Sequence, residues 1–358
     1  MTPRLDAGTT GLAALLLTVF AAATLHRFSP PPLAETKRGS EQAFARGLEP
    51  REIENGVLAR RWAGAGLGLA FVNLPAGPLE LELEVRSQRH PVVVSQAGAV
   101  LGTLPPGTSS ARYRLAELRG GRLDLELTAE TFIARGGRQL GFLFERAAVH
   151  PKAPGFLPPL TLVVWLLLPC AAAAAGARAL GLSPALTLGL MALVLAVLAA
   201  LLWTHGLVRS PYSRELSAWL AVGLLGCALL ARRMGGGAWG GAALFSAFLV
   251  QGILAAHPCL VASDAVFHAH NLQAVANGDF RLTSLTPHDP PFQFPYGVSF
   301  YFLLVPLLHT GIDLTTLVRA FASASAFAAA AALFAWLAPG GVKRAALTVG
   351  LLQLMPGG

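Results

Sequence analysis

Four uncharged apolar runs, at about 156–177, 184–206, 216–231 and 238–256, follow one another with only short polar breaks. An α-helix rises about 1.5 Å per residue, so about 20 residues cross a hydrocarbon core of roughly 30 Å. Repeated runs of this length leave little choice but a helical membrane bundle, because backbone polar groups in lipid must pair within their own segment. Further runs at 298–311, at 315–338 and from about 345, with Thr9–Leu25 near the N-terminus, bring the expectation to eight spans. The composition agrees, with 54% hydrophobic and 13% charged residues. Trp165, Trp203, Trp219 and Trp239 fall near span ends or within spans, as interfacial aromatics do.

Thr9–Leu25 follows Arg4 and lacks a polar-flanked A-x-A site, so it reads as an uncleaved signal anchor, residues 1–28, rather than a cleaved leader. The proline-rich SPPPLAETKR after it reads as a spacer within a linker, 29–46. At the other end LLQLMPGG breaks off within an apolar segment, so the chain is expected to continue.

Residues 47–154 have a different character. Runs such as LGLAFVN, LELELEVR, PVVVS, AVLGTL, ARYRL, RLDLELTA and QLGFLFERAAV recur every eight to twelve residues with Gly and Pro between them. Strict alternation in LELELEVR and LDLELTA is the mark of strands with one buried face. About eight short strands in about a hundred residues predict a β-sandwich of jelly-roll type, resembling the galactose-binding-like modules of cell-surface proteins. Trp62, Tyr113 and Phe132 are the aromatics available to a sugar, set against the reading that they are core or edge residues of a scaffold. The expected fold is therefore a mainly α-helical polytopic membrane protein with an all-β sandwich inserted after the first span, and a transmembrane domain over 155–358.

The formal charge of +8 forms no basic stripe with interleaved aromatics, so no nucleic-acid partner is expected; membrane lipid is. Cys170, Cys227 and Cys259 show no C-x-x-C spacing and predict no metal or redox site. Basic residues flank the spans on both sides, so the positive-inside rule does not orient the chain. Parity does more: four spans between the sandwich and residue 257 put both on one side.

Polarity in the membrane half is concentrated in one place. Of the five carboxylates in 155–358, Asp264, Asp279 and Asp289 fall within 257–297, together with His257, His268, His270 and His288. A charge at the bilayer centre costs about 2.5–3.5 kcal/mol or more, so this stretch predicts an aqueous or semi-buried site between spans. Ser263 is a candidate N-cap, Asp264 suits the first turn, and Asn277-Gly278 is a stop signal. The helix between, about 264–276, is too short to span; Asp264, His268 and Asn271 share a face at i, i+4 and i+7. The plain alternative is a solvated loop, with Asp264 only a helix-terminal charge.

SDAVFHAHNLQAVANGDF, FQFPYGVSFYFLLVPLL and GIDLTTLVR together resemble the integral-membrane C-superfamily (GT-C-like) glycosyltransferases, which include the protein mannosyltransferases and aminoarabinose transferases. The similarity is to bacterial members and covers about 250–358. It implies a polyprenyl-phosphate-linked sugar donor, a glycan, lipid or protein hydroxyl acceptor, and inverting transfer at the outer face of the inner (plasma) membrane, with the sandwich outside. Asp264 takes the place of the family's leading acid, next to Ala265 where many members carry Glu. As base it would act with His268. Asn271, Asp279, Arg281, His288, Asp289, Tyr296 and Arg319 would serve substrate, with Arg281, His288 and Arg319 for the departing phosphate. The cofactor is unknown: a divalent metal rests only on the H-x-H of His268 and His270, and no metal ligands are assigned. Against this stand a lipid-linked-sugar flippase or transporter, and a non-catalytic membrane-anchored glycan-binding protein. Asp289-Pro290-Pro291 reads equally as a turn, Tyr296 as an interfacial anchor, and Arg319 as an anchor at a span end.

Overall fold

The structure, a computed structural model, describes residues 7–353 apart from 38–39, 49–51, 55–56, 88, 116–117, 119–120, 134–138, 153–156, 257–262, 281, 284–292, 295–298, 311 and 313. The chain divides into two compact units, Met1–Leu229 and Leu230–Gly358. Five helices among the described residues are long and apolar enough to cross a membrane: Gly11–Phe28, Leu160–Ala179, Pro184–Trp203, Tyr212–Arg233 and Leu314–Gly340.

The first unit begins with helix α1, Ala7–Phe28, and then builds a β-sandwich. Its strands in chain order are β1 Leu33–Glu35, β2 Ala45–Leu48, β3 Glu52–Glu54, β4 Val57–Arg60, β5 Trp62–Phe71, β6 Leu79–Ser87 and β7 Val92–Gln96. β8 Ala99–Leu104, β9 Gly107–Leu115, β10 Leu123–Thr128, β11 Phe132–Ile133, β12 Gln139–Leu140 and β13 Phe142–Pro151 complete it. The main sheet runs β8-β7-β10-β5-β13-β6-β9, with β1 added to β13 and β2 to β5. Its described pairings are antiparallel.

β5 and β13 pair only at Ala63↔Phe142 and Trp62↔Leu143, after which β13 takes β1 as partner (Ala34↔Ala147) and β5 takes β2 (Leu69↔Ala45). The sheet parts there into two layers with a shared core. Leu79, Leu81, Leu83 and Val85 of β6 face it, as do Leu123, Leu125 and Leu127 of β10, each 3% exposed or less. Burying such a side chain stabilises the fold by about 1.5–3 kcal/mol, so alternation fixes which face of each strand turns inward. The two ends of the strand path are joined by a side chain: a Cβ on Gly102 of β8 would lie 2.8 Å from the Tyr113 ring of β9. A glycine there leaves room for the aromatic to cover the backbone.

Part of the expected linker belongs to this sandwich. Leu33–Glu35 and Ala45–Leu48 are strands of the main sheet, Phe44 packs against Phe71 with ring centroids 5.1 Å apart, and Thr36 Oγ1 donates to the Phe144 carbonyl at 2.8 Å. Glu41, fully buried, pairs with Arg61 at 2.7 Å.

Three more helices complete the first unit: α2 Leu160–Ala179, α3 Pro184–Trp203 and α4 Tyr212–Arg233, the last crossing into the second unit. Ser183 caps α3 by accepting from the Leu186 amide at 3.4 Å, with Pro184 pre-set at the first helical position. α2 and α4 approach closely because Gly176 lacks a Cβ, which would sit 3.0 Å from that of Ala228.

The sandwich sits on one end of these helices. Thr204–Arg209 is a 3-10 turn joining α3 to α4, and the Val72 amide donates to the Arg209 carbonyl at 2.7 Å. Ser210 Oγ donates to the Ala43 carbonyl. Gly206, at φ +67°, has no room for a side chain: a Cβ would lie 3.1 Å from the Pro31 carbonyl oxygen. The end of α1, the start of α2 and the α3–α4 connection therefore meet the sandwich at the same end of the bundle.

In the second unit come α5 Gly237–Ala256, α6 Ser263–Ala276, α7 Ser299–Leu304, α8 Leu314–Leu337 and α9 Val342–Leu352, with a short pair β14 Leu282–Thr283 and β15 Gln293–Phe294. Phe334 of α8, fully buried, fills the space left by Gly236 and Gly240. The run at 298–311, expected as a span, is instead six α-helical residues followed by the 3-10 turn Val305–Thr310. At about 1.5 and 2.0 Å per residue this reaches roughly 21 Å, short of the ~30 Å hydrocarbon core. Pro306, which has no N–H and clashes with the preceding turn, accounts for the change.

Candidate functional site

α6 ends where its punctuation predicts, and it begins at Ser263, the residue expected as its N-cap. Gly278, at φ +88°, takes the left-handed position after the helix; its amide donates to Val275 and that of Asp279 to Ala274, both at 3.0 Å. That double bond is a Schellman close, available cheaply only to glycine. At 14 residues α6 does not span. Its apolar side, Leu272 and Val275, packs with Tyr301 and Leu304 of α7 and Leu317 and Val318 of α8 in a buried cluster.

One polar contact lies inside that cluster. Tyr301 is 1% exposed, and its hydroxyl lies 2.7 Å from His268 Nδ1; Asn271 Nδ2 donates to the same oxygen at 3.2 Å. One hydrogen is shared between the Tyr301 oxygen and His268 Nδ1, and the imidazole tautomer sets which of the two donates it. Phe267, Phe300 and Phe321 surround the pair: Phe267 and Phe300 lie 5.2 and 6.2 Å from the His268 ring, and Phe321 lies 5.1 Å from Phe300. His268 and Asn271 thus fasten a short helix to an apolar one through a buried hydroxyl, in a setting where an unmet polar group costs about 1–3 kcal/mol.

The expected residues separate as follows. Asp264 lies in the first turn of α6, four residues before His268. His270 is exposed, whereas His268 is half-buried against Tyr301, so the two imidazoles of the H-x-H face different surroundings. Among the described residues no three His, Cys, Asp or Glu side chains gather as a metal site. Asp279 is exposed just past the end of α6, and Arg319 is half-buried on α8 beside Leu317 and Val318. Arg281, His288, Asp289 and Tyr296 lie outside the described residues. Sequence reading passed over Tyr301, which looks like one more aromatic in the apolar run FYFLL; the paired His268 and Asn271 at i, i+3 were the only sign that a buried polar partner was required.

No protein-family model and no curated protein matches the chain. Solved structures match about a third of it. A family 35 carbohydrate binding module from Clostridium thermocellum is 16% identical, over 35% of this chain and 100% of its own, at a TM-score of 0.25. The C-terminal CBM6 of LamC from Zobellia galactanivorans is 11% identical, over 34% and 98%, at 0.23. The CBM6cm-2 module of Cellvibrio mixtus lichenase 5A, solved with cellotriose, is 16% identical, over 34% and 97%, at 0.22. At TM-scores this low the likeness carries no ligand or residue role over to this chain.

The sandwich aromatics are engaged with the protein itself. Trp62 is 6% exposed and meets Phe132 edge-on at 5.9 Å; Arg89 lies over the Phe132 ring at 5.1 Å; Tyr113 covers Gly102. These three rings read as core and edge residues.

Proposed function

We propose that this protein is an integral-membrane glycosyltransferase of the C superfamily, moving a sugar from a polyprenyl-phosphate donor to a hydroxyl acceptor, with α6 and the 257–297 stretch as its active site. The seating of α6 carries the reading. A helix too short to span is fixed by the His268–Tyr301–Asn271 contact, with Asp264 four residues before His268. A base at a membrane surface needs a fixed helix of this kind to carry it.

Asp264 takes the proton of the acceptor hydroxyl as its oxygen attacks the anomeric carbon. The bond from that carbon to the phosphate oxygen breaks, and the lipid phosphate leaves with the electron pair. A positioned base supplies about 10²–10⁴ in rate. His268 and Asn271, engaged with Tyr301, act as positioning residues. Arg281, His288 and Arg319 would serve the leaving phosphate.

The site shares the outer compartment with the sandwich in this reading. Support comes from parity in the sequence, where four apolar runs, an even number, separate the sandwich from residue 257. The test is turnover by the full-length protein in proteoliposomes with polyprenyl-phosphate sugars. Asp264→Asn keeps size and helix-terminal bonding and is expected to cost about 10²-fold or more in kcat. Near-wild-type turnover by that variant would overturn the assignment, and movement of intact donor across the bilayer without transfer would favour a flippase.

A further inference from the structure

Three buried polar side chains near the end of α1, those of Arg209, His26 and Ser29, keep polar atoms unmatched among the described residues. Arg209, 5% exposed, donates through Nη2 to the His26 carbonyl at 3.3 Å, which places a cation at the negative end of the helix. Its Nε and Nη1 find no acceptor among the described residues, and neither do the ring nitrogens of His26, 3% exposed, or the hydroxyl of Ser29, 8% exposed. Burial pulls Arg209 down to about 10, so it remains cationic at neutral pH. A buried charge is retained when it is paired, and no carboxylate of the described residues pairs with this one.

Beside this cluster lies an apolar groove of about 390 Å³ between α1 and α3. Leu17, Phe20 and Leu25 line it from one side and Leu195, Ala196 and Trp203 from the other. Its end at Leu25 and Trp203 is one residue from His26 and from the 3-10 turn that Arg209 closes. Trp203, 43% exposed at the end of a span, marks the depth at which lipid headgroups lie.

We propose that this groove holds one acyl chain of a membrane glycerophospholipid whose phosphate accepts from Arg209, with Ser29 and His26 as further donors. The two halves of the site match the two halves of an amphiphile: an apolar trough inside the hydrocarbon, and a cation with spare donors at its interfacial end. A guanidinium suits this role because its planar fork matches phosphate oxygens. The site lies within the first unit and does not depend on transfer chemistry at α6.

The test uses the full chain, delipidated in mild detergent, then given dioleoyl phosphatidylglycerol, dioleoylglycerol or inorganic phosphate. Retained lipid is read by native mass spectrometry and protection by thermal midpoint. Phosphatidylglycerol is expected to be retained and to raise the midpoint, while dioleoylglycerol and inorganic phosphate do neither. Arg209→Gln and, at an exposed groove position, Ala196→Phe are each expected to lower lipid affinity about tenfold or more. If Arg209→Gln does not fold, Ala196→Phe and Ser29→Ala decide. Unchanged retention in the folded variants, equal retention of dioleoylglycerol, or equal protection by inorganic phosphate would each overturn the proposal, the last in favour of a soluble-anion site.

Discussion

The side-chain amide of Asn73 donates to the Val208 carbonyl at 2.8 Å, joining the sandwich to the α3–α4 connection across 135 residues of sequence. The same amide lies 3.4 Å from Ser213 Oγ, and its oxygen accepts from Thr161 Oγ1 at 3.1 Å, so one side chain, 2% exposed, touches the 3-10 turn, α4 and α2. Its backbone is left-handed at φ +55°, a conformation asparagine tolerates better than other residues with a Cβ.

Asn73→Ala is therefore expected to destabilise the full chain by about 2 kcal/mol or more, through an orphaned buried carbonyl and a strained backbone. Asn73→Gly relieves the backbone but restores no hydrogen bond, and belongs between wild type and alanine. Thermal midpoints in detergent give the order; an alanine variant as stable as wild type would show that the junction does not depend on this amide.

The true start of the sandwich is testable by truncation. A fragment 30–152 keeps β1, β2, Phe44 and the Glu41–Arg61 pair, whereas 47–152 loses them all except the end of β2. Removing one partner of a buried pair costs about 3–5 kcal/mol, and the shorter fragment also uncovers Phe71. Circular dichroism should show cooperative β-type unfolding for 30–152 and a far less stable or aggregated product for 47–152. Equal stability would mean that residues 30–46 only decorate the sheet.

What could be read in advance follows from how local each signal is. Strict alternation placed β6 and β10 because each buries a single face, and Asn277-Gly278 ended α6 because a C-terminal stop acts within a few residues, while the helix itself takes in Ser263, expected as its cap. β1 and β2 escaped notice since three or four residues beside prolines carry no period; only pairing with β13 and β5 makes them strands. The 298–311 run has a span's hydropathy, and the break at Pro306 outweighs it. Tyr301 was invisible for a different reason: its importance comes from α6 packing against α7, which apolar periodicity does not encode. Asp264 lies in the first turn of that helix, while Arg281, His288, Asp289 and Tyr296 fall outside the described residues.

The sandwich should lose stability in alkali partly through Tyr113. Burial raises its hydroxyl above the ordinary value of 10.0, so the folded form holds a proton that the unfolded chain has released. The unfolded state then binds fewer protons, and stability falls as pH rises. The contribution is fully present below the unfolded value and is lost as pH climbs through the folded one. Tyr113→Phe keeps the ring over Gly102 and removes the titration. Denaturant midpoints of the 30–152 fragment at pH 8 and pH 11 should therefore fall less for the variant than for wild type; identical falls would assign the alkaline loss to other groups.

Tyr301→Phe tests whether the seating of α6 serves function. The substitution preserves the buried ring and removes only the oxygen that His268 and Asn271 share, taking one hydrogen bond from each in a partly buried site. A loss of about 1–3 kcal/mol is expected, felt first as faster amide hydrogen exchange over 263–276, since local opening exposes the least anchored element before the whole fold yields. If Asp264 is the base, a looser helix lowers kcat while leaving donor KM nearly unchanged, because geometry at the reacting atoms suffers rather than binding. Asn271→Leu combined with Tyr301→Phe removes two of the three polar groups of this contact, and should restore protection of α6 better than Tyr301→Phe alone. Unchanged exchange and unchanged kcat in Tyr301→Phe would show that apolar packing by Leu272 and Val275 holds the helix without this hydroxyl, and the positioning role would pass from His268 and Asn271 to that packing.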